Sequence, residues 1–147
     1  RAGLLASSNA MRLKPHGVFV KAKIEPAKWF LAPTTDIRSS DALEDAGTEF
    51  DVQGLELDWT CVCWDANLRR SPAEWKVHQF KGTTWQSVSD EARQRYIANA
   101  HRVLLTRARQ GMIVFVPHGD ETDATRPSET YDQIFQFLRS CGFDFQE

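Results

Sequence analysis

Leu57-Asp58-Trp59-Thr60-Cys61-Val62-Cys63-Trp64 is a run of β-branched, aromatic and cysteine side chains with the composition of a central β-strand. Downstream, Ala92, Tyr96, Ile97, Ala100, Val103 and Leu104 recur at helical spacing, which predicts a helix from Ser87 or Ser89 to about Arg109. Ser87 with Asp90 three residues on resembles a capping box, with Asp in place of the usual Glu. Gly111 stops that helix, and Met112-Ile113-Val114-Phe115-Val116 is a second compact apolar strand closed by Pro117. A strand–helix–strand connection is normally right-handed and joins parallel strands, so the fold class is α/β with a mostly parallel sheet.

Outward from this unit the pattern is more broken. Gly3 to Ser7 is a short apolar run compatible with a buried strand. Gly17 to Ile24 alternates Val18, Val20, Ala22 and Ile24 with Phe19, Lys21 and Lys23 between Pro15 and Pro26, which predicts another strand. Trp29-Phe30-Leu31 is an apolar cluster ending at Pro33, and Ser40 or Asp41 is placed to cap a short helix through Ala46, stopped by Gly47. Residues 66–88, polar with interspersed aromatics, read as an inserted loop or hairpin. A last helix follows Pro127 or Ser128, burying Tyr131, Ile134, Phe135 and Leu138 and ending near Gly142. No repeat or linker interrupts residues 1–147, which are expected to form one domain.

Composition narrows the function classes. With 41% hydrophobic and 26% charged residues the chain is an ordinary globular one. A net charge of −2 excludes a histone-like binder, though not a local basic stripe. No apolar run approaches the ~20 residues of a membrane-spanning helix, so no membrane partner is expected. Cys61 and Cys63 fall on one face of a strand; half of a metal site is one reading, reduced thiols in a cytoplasmic core the other, and with no His or Cys pair nearby no metal site is expected. His16, His78 and His118 lack ligand spacing and read as surface residues, and His101 as a packing residue. Trp59, Trp64, Trp75 and Trp85 are expected in core or hairpin packing. A chain beginning at Arg1 with no initiator Met reads as part of a longer polypeptide.

Two stretches place polar residues where solubility does not require them: Thr48-Glu49-Phe50-Asp51-Val52-Gln53-Gly54-Leu55-Glu56-Leu57, leading into the first strand, and Val103-Leu104-Leu105-Thr106-Arg107-Ala108-Arg109, leading into the second. Together they resemble motifs V and VI of superfamily 1 helicases. Thr48, Gln53, Gly54 and Glu56 match Thr-x-His-x-x-(Gln/Lys)-Gly-x-Glu, with Phe50 in place of His and Leu57 in place of the common aromatic. Val103, Leu105, Thr106, Arg107, Ala108 and Arg109 match Val-Ala-Leu-Thr-Arg-Ala-(Arg/Lys). The chain is similar over nearly its whole length to the Schlafen group-3-like DNA/RNA helicase domain, including residues 3–8, 49–58, 99–111, 116–117 and 119–120.

The resemblance implies a RecA-like three-layer αβα domain, the second of two such halves in a nucleic-acid-stimulated ATPase. Arg107 would be the catalytic arginine finger, Gln53, Gly54 and Glu56 would meet ATP, and Thr48 and Arg109 would meet single-stranded nucleic acid. The chemistry fits on its own terms. Phosphoryl transfer gains 10³–10⁵ in rate from an Arg delivered by a second domain, and the planar guanidinium pairs two oxygens without losing its proton. A Gly at position 54 lets backbone approach a ligand, and Glu56 has the acceptors that ribose hydroxyls require.

Plainer readings stand beside these. Arg107 and Arg109 also suit the dipole at a helix end, and Glu56 with Asp58 also suits a solvated loop. Arg93, Arg95, Arg102, Arg107 and Arg109, with no acid between Glu91 and Asp120, form either a phosphate-tracking surface or an exposed helix face. Asp90-Glu91-Ala92-Arg93 is not the magnesium-binding acidic box of helicases, because it opens a helix where that box ends a strand.

No Gly-x-x-x-x-Gly-Lys-(Ser/Thr) occurs in the sequence, and no acid closes an apolar strand upstream of residue 48. The domain is thus expected to lack its own phosphate-binding loop and magnesium ligand. ATP with Mg²⁺ would bind only in the parent protein, against an upstream RecA-like domain, and this part alone would bind and hydrolyse none. The alternative is a non-catalytic nucleic-acid-binding or protein-interaction module that keeps the fold.

Overall fold

Leu57–Cys63 forms strand β3, an inner strand of a four-stranded, all-parallel sheet in the computed structural model, which describes residues 1–146. It lies between β1 (Ala2–Ala6) and β7 (Ala108–Phe115), and β2 (Ala46–Gly47) pairs with the outer side of β1. The order is therefore β2-β1-β3-β7, with helix α2 (Glu91–Leu105) leading into β7. A four-stranded parallel sheet flanked by helices is compatible with a RecA-like three-layer fold.

Two glycines shape one face of the sheet. Trp29, on the short helix α1 (Pro26–Leu31), is 1% exposed and lies over Gly3 and Gly47. A Cβ at Gly3 would stand 3.0 Å from the indole, and one at Gly47 would stand 3.3 Å from it. The indole N–H donates to the Asp45 carbonyl at 3.0 Å. Around it Leu5, Val52, Leu57, Val62 and Leu104 close a core that joins α1 and α2 to the sheet. On the other face Ala6 and Cys63 pack against Ala10, Leu13 and Val18, which flank a 3-10 turn at Lys14–His16.

Residues 68–87 form a three-stranded antiparallel meander: β4 (Leu68–Arg70), β5 (Trp75–Lys81) and β6 (Thr84–Ser87). Helix α3 (Ser128–Ser140) supplies Tyr131, Ile134 and Leu138 to a third core with Trp64, Leu68, Val77 and Ile97. Trp75 and Trp85 border that core, Trp75 stacked on Trp64 at 5.6 Å.

The structure corrects several expectations. Gly17 to Ile24 is not a strand. Gly17 takes a left-handed φ of 80°, and Val18 reaches the sheet face from a loop, so burial is met without a ladder. The expected helix from Ser40 to Ala46 is a 3-10 turn, Ser40–Ala42, that Leu43 ends at a φ of 58°; Ala46 instead enters the sheet. Helix α2 is capped by Asp90, whose carboxylate accepts from the Arg93 N–H at 2.7 Å, rather than by Ser87 or Ser89. It ends at Leu105, not Arg109, because main-chain pairing with β3 draws Ala108 onward into β7. Phe135 is 38% exposed against Phe145, and Trp59 is 54% exposed, lying across Gly111 on the neighbouring strand. His101 does pack in the core, 4.9 Å from the Trp64 ring. Among the described residues no helix is long and apolar enough to cross a membrane.

Candidate functional site

The nine residues between β2 and β3 pass from one rim of the sheet to the other. Gly47 is level with Leu5 and so with Val62, near the carboxyl ends of the strands, whereas Leu57 is level with Ala108 at their amino ends. A seven-residue strand at ~3.3 Å per residue separates the two rims by roughly 20 Å. Thr48, Glu49 and Phe50 thus belong to the carboxyl rim, and Gln53, Gly54 and Glu56 to the amino rim beside Arg107.

At the amino rim, two chain segments remote in sequence are locked together. The Leu57 N–H donates to the Arg107 carbonyl at 2.9 Å, and the Arg107 guanidinium donates to the Leu55 carbonyl at 3.3 Å. Its Nε also donates to the Val103 carbonyl at 3.0 Å and its Nη2 to the Thr106 hydroxyl at 3.1 Å. Arg107 is half-buried, and among the described residues no carboxylate pairs with it. Three of its five N–H donors are engaged by neutral oxygens, so its charge is uncompensated and its plane fixed.

Gly54 sits at the apex of the facing turn with a φ of 74°, in the left-handed region that favours glycine. A Cβ there would meet nothing within 4 Å, so the turn is open to a group from outside. Gln53 and Glu56 are exposed on either side. Glu56 faces Arg109 at 3.8 Å, with both side chains about two-thirds exposed, a pairing that contributes little and is readily exchanged.

The carboxyl rim is built differently. Thr48 is 7% exposed, and its hydroxyl and main-chain N–H both donate to the Asp51 carboxylate, at 2.9 and 2.8 Å. Glu49 is 2% exposed and accepts from the Ser8 N–H at 2.8 Å and the Ser8 hydroxyl at 2.6 Å, which ties the end of β1 to the end of β2. Above this pair lies a cavity of about 430 Å³ lined by Ser8, Asn9, Phe50, Arg93, Tyr96 and Ile97. Partial burial, and then the nearby Glu49 carboxylate, push the Tyr96 hydroxyl above the usual phenol range.

The fold therefore divides the 48–56 stretch between two rims. It brought Arg107 and the 53–56 turn together, and Glu56 with Arg109, but left Thr48 at the opposite edge with its hydroxyl engaged. The sequence reading set Tyr96 in the apolar stripe of α2, where it is 43% exposed, and gave Glu49 no role of its own. The phenol, the one polar tip in that stripe, was the signal available.

Residues 1–118 of the chain match the sequence model described as Schlafen group 3, DNA/RNA helicase domain. No curated protein and no solved structure matches it.

Proposed function

The chain belongs to the Schlafen group 3 DNA/RNA helicase domain family, and on that premise we propose that it is the second RecA-like half of a nucleic-acid-stimulated ATPase. In this reading the two polar stretches are superfamily 1 motifs V and VI. The amino rim is one wall of an ATP cleft whose other wall, with the phosphate-binding loop, belongs to an upstream RecA-like domain. The observation that carries it is the Arg107 guanidinium, held against the 53–56 turn by neutral oxygens with no acidic partner among the described residues.

Arg107 is the arginine finger. Its two free N–H donors meet the γ-phosphate as charge builds on its oxygens, and the bonds to Val103 and Leu55 remove the cost of ordering a long side chain at that moment. Glu56 exchanges its exposed pairing with Arg109 for the ribose hydroxyls, and Gly54 admits the nucleotide against bare backbone. In this reading the magnesium accompanying ATP would be held by the other half. Single-stranded DNA or RNA occupies the carboxyl rim.

The test is ATP turnover by this chain alone and by the longer polypeptide carrying a phosphate-binding loop. The isolated chain is expected to be inactive, and the longer one active and stimulated by single strands. Robust turnover by the isolated chain would overturn the assignment. Single-strand binding without any turnover in the longer polypeptide would favour the non-catalytic module.

A further inference from the structure

The carboxyl-rim cavity holds a combination that the motif resemblance does not account for. Phe50 is 62% exposed and Tyr96 43% exposed, and the two rings lie side by side. Their centroids are 6.1 Å apart and their planes tilted by 30°, so they touch and present one continuous aromatic surface, too close for a third ring to enter between them. Arg93, one turn before Tyr96 on α2, is exposed and has no ion pair among the described residues. Ser8 and Asn9 complete the polar part of the lining. The one acid beneath, Glu49, is covered and already accepts two bonds from Ser8.

We propose that this cavity is a base-stacking site for single-stranded nucleic acid: one unpaired base lies on the outer face of the Phe50–Tyr96 pair while Arg93 holds the adjacent phosphate. The inference rests on the nucleic-acid reading above and gives it a location. Stacking on aromatic rings tolerates every base, because every base has a π-face, and an arginine at the ring edge supplies the backbone contact. A volume of about 430 Å³ falls within the range of small-ligand sites and leaves room for a base and its sugar. Asn9 lines the cavity, and a side-chain amide is a group that base edges hydrogen-bond. Phe50 stands where the resembling motif carries His, so no hydrogen bond from that side chain contributes to binding at this position. Thr48, with its hydroxyl bound to Asp51, supplies no such contact without giving up that bond.

The experiment is a fluorescence-anisotropy titration of the 147-residue chain with labelled oligothymidylate, oligouridylate and an abasic oligomer of equal length, over a range of salt. Phe50→Ala and Tyr96→Ala are each expected to weaken binding by about five- to a hundredfold, while Phe50→Trp and Tyr96→Phe retain it. The abasic oligomer should bind the parent chain about as weakly as the natural oligomers bind Phe50→Ala. Arg93→Ala should reduce the salt slope by about 0.7. Salt-dependent binding insensitive to Phe50, Tyr96 and the presence of bases overturns this site and leaves the nucleic-acid reading standing. No binding of any oligomer overturns both. Tyr96 is more than half covered and its hydroxyl donates to Glu49 at 3.5 Å, so an unchanged melting temperature of each variant separates lost contact from lost fold.

Discussion

The guanidinium of Arg107 donates to the carbonyl of Leu55, 52 residues away, while the carbonyl of Arg107 accepts the N–H of Leu57. Side chain and main chain thus clasp the same turn from two directions. A side chain ordered before its ligand arrives loses little entropy on binding, which is what a transition-state contact requires. Arg107→Ala in the longer polypeptide is therefore expected to lower kcat by about 10³ or more with little change in ATP affinity. Arg107→Lys should recover little, because an ammonium keeps the charge but not the planar fork. Steady-state turnover alongside nucleotide binding distinguishes the two effects, and a loss under tenfold would make Arg107 structural.

Gly54 isolates backbone conformation from packing. Its φ of 74° strains any other residue except Asn by about 1–2 kcal/mol, yet nothing lies within 4 Å of the added carbon. Gly54→Ala should lower unfolding free energy by about 1 kcal/mol and Gly54→Asn by less. Gly54→Ala should also raise the KM for ATP in the longer polypeptide. Equal, unaltered urea midpoints for both variants would show that the turn relaxes freely.

Trp29 makes the opposite case, in which space decides. Trp29→Ala empties the middle of a core and orphans the Asp45 carbonyl, and should cost about 3–5 kcal/mol. At Gly47 an added Cβ would stand 3.1 Å from Val52 and 3.3 Å from the indole, so Gly47→Ala should cost about 1–3 kcal/mol by overpacking. Chemical denaturation reads both; a neutral Gly47→Ala would mean that Trp29 shifts without penalty.

Acid sensitivity should appear well above the carboxylate range. Burial depresses His101 below the ordinary imidazole value, and His78 falls to about 4 through burial and the nearby Arg69 and Lys76 charges. The unfolded chain takes up protons below pH 6.5 that these folded histidines refuse, so their contribution, complete above 6.5, is lost as pH falls, for His78 down to about 4. Asp65 acts in the opposite sense, its carboxyl raised by burial, so the informative quantity is a difference between variants. His101→Phe, which keeps a ring against Trp64, should flatten the dependence of melting temperature on pH between 6.5 and 4. An unchanged slope would show that His101 charges in place.

Where burial is decided by local pattern, the sequence was readable. The parallel unit 57–116 follows from two apolar runs and a helical stripe between them, and Tyr131, Ile134 and Leu138 fall in the core as spacing predicts. The errors lie where a pattern admits two solutions. Val18 meets the sheet from a loop as effectively as from a strand, and Ala46 with Gly47 continues a sheet that no local signal announces. Trp59 reads as core by composition, yet its ring covers Gly111 at the sheet face with over half its surface exposed. At the candidate site different partners are expected for Thr48 and for residues 53–56, but only the strand register reveals that the chain carries them to opposite rims.

That crossing has a mechanical meaning. Nine residues can reach about 30 Å when fully extended and here bridge roughly 20 Å with a bend at each end, while Val52 is clamped beneath Trp29 at the midpoint. The remaining reach is taken up in turns, where the Asp51 and Val52 N–H groups donate to the Thr48 carbonyl and the Leu55 N–H donates to the Val52 carbonyl. A displacement of Gln53 to Glu56 would be absorbed there before it reached Thr48 and Phe50, with Val52, seated in the core beside Trp29, as the pin between the two halves of the strap.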